Sequence, residues 1–117
     1  MRPLEPELNE NDEIVSYEID LSAARNNQVN ESWLRMFGSV VKMLMGHMFG
    51  GTSMPVRIKG SKQEVRAFAK TLSREKNYLK AWTKHGLDNP QTFRSKYKLN
   101  QAVKGFERVT GIKWPFK

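Results

Sequence analysis

Lysines and arginines recurring at helical intervals are the residues here best suited to chemistry. Lys62, Arg66, Lys70, Arg74, Lys80 and Lys84 follow one another at steps of four or six residues. At about 100° per residue they collect on one sector of a helix. Arg94, Lys98, Lys104 and Arg108 continue the array on the next helical stretch. An array of this kind suits a phosphate backbone, because each phosphate it neutralises releases condensed counterions. The plainer alternative is a solvated face that keeps a basic protein soluble. Aromatic residues interleave with these cations at Tyr78, Trp82, Phe93 and Tyr97, and exposed rings of this sort can stack against unpaired bases. Tyr78 and Trp82 fall at the edge of the apolar sector and are the candidates for stacking. Phe93 and Tyr97 stand at i and i+4, the spacing of buried neighbours, and are expected in the core.

Other chemistries find little support. Cysteine is absent, which removes disulfides, thiolate zinc sites and a cysteine nucleophile. His47 and His85 are the only imidazoles, and neither sits in a pattern of ligand spacing. No phosphate-cradling loop of the form G-x-x-x-x-G-K-[ST] and no G-x-G-x-x-G turn occurs. Helix-turn-helix, zinc-finger and RNP signatures are missing too, so base-specific reading is not expected. The carboxylates Glu5, Glu7, Glu10 and Asp12 lie in a Pro- and Glu-rich stretch, whereas catalysis needs groups held in place. The expectation is a non-enzymatic protein with no catalytic residues, no cofactor and no metal.

The elements that must position the cations follow from composition and periodicity. With 117 residues the chain fits one domain, and 38% hydrophobic content with six Phe, three Trp and three Tyr is enough for a modest core. The net charge of +8 is unevenly divided. Residues 1–31 hold eight acidic side chains against two basic ones, a net −6, and residues 32–117 hold eighteen basic against four acidic, a net +14. A basic body behind an acidic lead segment implies an anionic partner, an intramolecular clasp, or both. Residues 1–12 read as an acidic flexible arm able to dock on neighbouring protein through Glu5, Glu7, Glu10 and Asp12, and residues 13–117 as a single basic domain. The arm lacks the apolar run of a secretory signal, and the most apolar stretch, 36–49, is shorter than the roughly 20 residues of a spanning helix. No membrane association is expected.

Val15, Tyr17, Ile19 and Leu21 alternate with polar residues, the period-2 mark of a half-buried strand, and Val56 and Ile58 alternate with Arg57 and Lys59 in a second. Between them, Asn27 or Asn30 can cap a helix carrying Trp33, Phe37, Val40, Val41 and the methionines Met36, Met43, Met45 and Met48, which is ended by Gly50-Gly51. The methionines are expected mainly in the core or a subunit interface. Strand, helix, strand is a βαβ unit with parallel strands, in which Glu18 and Asp20 face Arg57 and Lys59. Ser61 and Glu64 form a capping box that opens a helix at Lys62, with Val65, Phe68, Ala69, Leu72 and Leu79 on its apolar face. His85-Gly86 closes it, and Asn89-Pro90 opens another helical region. The apolar phase slips near Lys98, which predicts two short helices or one bent one. Gly111 ends that region, and the Trp114-Pro115-Phe116 tail packs back on the body. The fold class is therefore α+β, a small two-stranded βαβ unit followed by a helical C-terminal half.

The stretches Val56-Arg-Ile-Lys-Gly-Ser-Lys, His85-Gly-Leu-Asp-Asn-Pro and Gly111-Ile-Lys-Trp-Pro-Phe-Lys resemble small proteins of tailed bacteriophages, over residues 56–117 only. The resemblance implies a virion or bacterial host cytoplasm as the setting and transfers no site residues. Together these features predict a structural or accessory subunit of a phage-like particle, in an oligomer or heteromeric complex. Its acidic arm docks on other protein subunits and its basic helices face nucleic acid, without sequence specificity, or an acidic surface. The alternative is a free nucleic-acid-binding regulator or an inhibitor of a host enzyme.

Overall fold

The computed structural model describes residues 6–8, 14–51 and 55–116. In chain order the elements are β1 (Pro6–Leu8), β2 (Ile14–Asp20), α1 (Glu31–Phe49), β3 (Val56–Lys59), α2 (Lys62–His85) and α3 (Pro90–Thr110). The α+β class and its helical C-terminal half are as the sequence predicts. β2 and β3 pair in parallel with Tyr17 opposite Val56 and Ile19 opposite Ile58, and α1 supplies the crossover.

The sheet also has a third strand. Pro6–Leu8, which the sequence places in the flexible arm, pairs antiparallel with β2 and completes the order β1-β2-β3. A two-stranded sheet is marginal in water, and a third strand satisfies backbone groups along the second edge of β2. Proline is tolerated because it occupies the first residue of an edge strand, where a missing N–H costs little. Glu5, Glu10 and Asp12 lie outside the described residues.

Charge pairing across β2 and β3 is more selective than expected. Lys59 Nζ lies 3.5 Å from Glu18 Oε1. Asp20 stands opposite Lys59 in register, but its buried carboxylate turns into the chain and accepts hydrogen bonds from the Ser22 N–H and hydroxyl. It fastens the turn that follows β2 instead of pairing across the sheet. That turn ends at Asn27, whose φ of 56° is left-handed, a region Asn enters more readily than most residues. Asn30 then caps α1, its Oδ1 accepting from the Trp33 N–H at 2.8 Å.

α1 buries Trp33, Phe37, Val40, Val41 and Met45. Met36 and Met43, expected in the core or a subunit interface, are not in the core of the domain and are exposed on the chain. They fall roughly a third of a turn from the centre of the buried stripe, so an apolar residue type there does not secure a buried position. On α2 the capping box forms as predicted: Glu64 N–H donates to Ser61 Oγ (3.1 Å) and Ser61 N–H to Glu64 Oε1 (2.8 Å). Arg25 also clasps Glu64 with two hydrogen bonds of 2.9 Å, which hold that buried carboxyl below its ordinary range. Ala69, placed on the apolar face, is exposed, whereas Phe68 and Leu72 are buried as predicted.

The core centres on aromatic rings contributed by three helices and the C-terminal tail. Phe37, Phe68 and Phe106 lie with each pair of centroids 6.2 Å apart, and Trp114 stands edge-on to Phe68 at 6.0 Å and to Phe106 at 5.2 Å. Burying each ring contributes about 1.5–3 kcal/mol, with further gains from the ring pairs. The tail does pack back: Trp114 N–H donates to Glu107 Oε2 (3.0 Å), and its indole Nε1–H donates to Glu75 Oε1 (2.9 Å).

Candidate nucleic-acid interface

Two long helices build the site. α2 and α3 form an antiparallel hairpin whose turn is set by Gly86, at a φ of 79°, and by Asn89, whose Oδ1 accepts from the Gln91 N–H ahead of Pro90. Threonines lock the two helices at different heights. The Thr71 hydroxyl donates to the carbonyls of Ala67 (2.7 Å) and Ala102 (3.2 Å), and the Thr92 hydroxyl to those of Gly86 (2.7 Å) and Ala81 (3.3 Å). α3 is a single helix of 21 residues, not two short ones. Its buried face carries Thr92, Leu99, Ala102, Val103, Phe106 and Thr110. Phe93 and Tyr97 lie on the opposite face and are 57% and 66% exposed, which overturns their placement in the core. The phase slip near Lys98 arises from counting these two rings as core-facing.

Between the helices runs a groove of about 400 Å³. Ala67, Ala102 and Gly105 keep its floor low, and a methyl group at Gly105 would meet no atom within 4 Å. Lys70 and Arg74 from α2 and Lys98 and Arg108 from α3 line it, with Tyr97 at its lip. Arg74 is half-buried and the other three cations are exposed. Among the described residues none of the four is held in an ion pair. With no carboxylate among the described residues lining the same concave surface, these four cations concentrate positive potential where phosphate oxygens can be bound by several donors at once.

The remaining six predicted cations do not line this groove. Lys62, Arg66, Lys80 and Lys84 are exposed along α2, and Arg94 and Lys104 are exposed on α3. The ten cations therefore divide into four at the groove and six elsewhere on the exposed surfaces of α2 and α3. The predicted stacking rings separate further. Trp82 is 45% exposed near the tip of the hairpin, while Tyr78 is half-buried against the core. Tyr78 lines a different cleft, of about 660 Å³, with Glu75, Leu79, Lys96, Leu99 and Phe116. Burial pushes the Glu75 carboxyl above its ordinary range, and the hydrogen bond from Trp114 opposes that shift. Sequence reasoning missed Tyr97 and Gly105 at the groove. Projecting α3 as one uninterrupted helix from the Asn89-Pro90 start would have found both, since Leu99, Val103 and Phe106 alone fix the buried face.

Among the described residues no group of three or more His, Cys, Asp or Glu side chains converges, and no helix is long and apolar enough to cross a membrane. Comparison with protein-family models, curated proteins and solved structures gave no match.

Proposed function

We propose that this protein binds the phosphate backbone of nucleic acid through the α2–α3 groove, without base-sequence specificity, and does so as a non-enzymatic accessory or structural subunit of a phage-like assembly. The observation that carries the reading is the set of four cations, Lys70, Arg74, Lys98 and Arg108, brought from two helices to one groove with no carboxylate among the described residues pairing them. Cations placed only for solubility have no need to converge or to stay unpaired. The other six exposed cations add to the positive field that attracts an anionic strand. The assembly setting is carried over from the resemblance of residues 56–117 to phage proteins.

The test is a comparison of two quadruple variants with equal loss of charge. One carries Lys70→Gln, Arg74→Gln, Lys98→Gln and Arg108→Gln; the other removes cations elsewhere, with Arg35→Gln, Lys42→Gln, Lys59→Gln and Lys113→Gln. Binding to a fluorescent oligonucleotide at about 50 mM salt should be lost in the first and reduced only modestly in the second. Equal weakening by both sets would show that net charge, not the groove, governs binding.

A further inference from the structure

We infer that the groove accepts a single strand of nucleic acid, with Tyr97 as the platform on which an unpaired base stacks. This inference rests on the nucleic-acid reading above and specifies the form of the ligand. Binding phosphates requires only the cations, and nothing in that task calls for aromatic rings in solvent. Yet Tyr97 is 66% exposed at the lip of the groove, and Phe93 is 57% exposed one turn before it. Both project from the side of α3 opposite Leu99, Val103 and Phe106, so neither ring is part of the fold's own packing. Tyr97 is next to Lys98 on the groove wall, and Arg94 is exposed one turn earlier, so a ring face and phosphate-binding groups lie within one nucleotide's reach.

Duplex bases are already stacked on their neighbours and offer a side chain no face, whereas an unpaired base does. A groove with a floor of Ala67, Ala102 and Gly105 between two packed helices also admits one backbone more readily than the rigid, double-backbone surface of a duplex. Cations in a groove beside an aromatic platform make up the arrangement by which proteins hold single strands with little sequence preference. A docked aromatic protein segment would use the ring without needing unpaired cations, so the observations favour the strand.

Fluorescence anisotropy with a labelled twelve-nucleotide oligothymidylate and with a duplex of twelve base pairs decides the matter, using the full chain and the variants Tyr97→Ala and Tyr97→Phe. The wild type should prefer the single strand. Tyr97→Ala should weaken single-strand binding by roughly 5- to 100-fold, Tyr97→Phe should retain it, and the weaker duplex binding should be the same in all three. Because Tyr97 lies in solvent, neither variant should alter the far-UV circular dichroism. Equal affinity for both forms, or an unchanged affinity in Tyr97→Ala, would overturn the single-strand inference and leave the phosphate reading intact. No binding of either form at low salt would overturn both.

Discussion

Phe68→Ala tests the aromatic core that holds the hairpin against the rest of the molecule. Phe68 has no exposed surface, and its ring touches Phe37 at 6.2 Å, Phe106 at 6.2 Å and Trp114 at 6.0 Å. One truncation thus removes contacts to α1, α3 and the C-terminal tail together. Loss of the buried ring costs about 1.5–3 kcal/mol in transfer free energy, and the residual cavity and lost ring pairs bring the total to about 3–5 kcal/mol. Near the midpoint a domain of this size has an unfolding entropy of about 0.25 kcal/mol/K, so the melting temperature should fall by roughly 12–20 °C. In urea, with m near 2 kcal/mol/M, the midpoint should fall by about 1.5–2.5 M. Equilibrium denaturation followed by Trp fluorescence measures this directly, since buried Trp114 reports on the same cluster. Phe68→Leu, which keeps most of the volume, should lose less than half as much. A loss below about 1 kcal/mol for Phe68→Ala would show that these rings do not pack as described.

Three smaller perturbations test other parts of the account. Glu75→Gln keeps an acceptor for the Trp114 indole but removes the buried charge, so at pH 7 the variant should be at least as stable as the wild type in thermal melts. The folded chain binds the Glu75 proton more readily than the unfolded chain, so wild-type stability should decline as pH rises from the ordinary carboxyl value of 4.5 through the raised one, a decline the variant should lack. Glu64 acts in the opposite sense: its lowered pKa gives stability that is present above 4.5 and lost on further acidification, and Glu64→Gln should flatten that acid limb. Gly105→Ala should stabilise the middle of α3 by about 0.5–1 kcal/mol because its methyl group meets nothing, yet weaken oligonucleotide binding by raising the groove floor.

Local signals made much of the fold legible in the sequence. The Ser61–Glu64 capping box, the Gly86 stop and the Asn89-Pro90 start each specify a backbone geometry within a few residues, and the alternation of Val56 and Ile58 with Arg57 and Lys59 matches half-buried and exposed positions on β3. The edge strand at Pro6–Leu8 was not legible. Its three residues gain their place by pairing with β2, and no side-chain pattern advertises that. The cations of the site could be read individually, but not their grouping. Spacing along one helix assigns sectors to that helix alone, and Lys70 and Arg74 meet Lys98 and Arg108 only because the threonine bonds of the hairpin fix how the two helices are rotated. Tyr97 is not legible for a related reason: its i, i+4 spacing from Phe93 matches that of a buried pair, whereas Leu99, Val103 and Phe106 place the buried face on another side of α3.

The most direct test of the central claim is the salt dependence of oligonucleotide affinity. If four groove cations displace counterions from a single strand, log K plotted against log of the salt concentration should fall with a slope of about −3 or steeper. The Lys70→Gln, Arg74→Gln, Lys98→Gln, Arg108→Gln variant should lose most of that slope together with its affinity. An affinity that does not change between about 50 and 200 mM salt, or a slope that survives intact in the variant, would contradict phosphate binding at the groove.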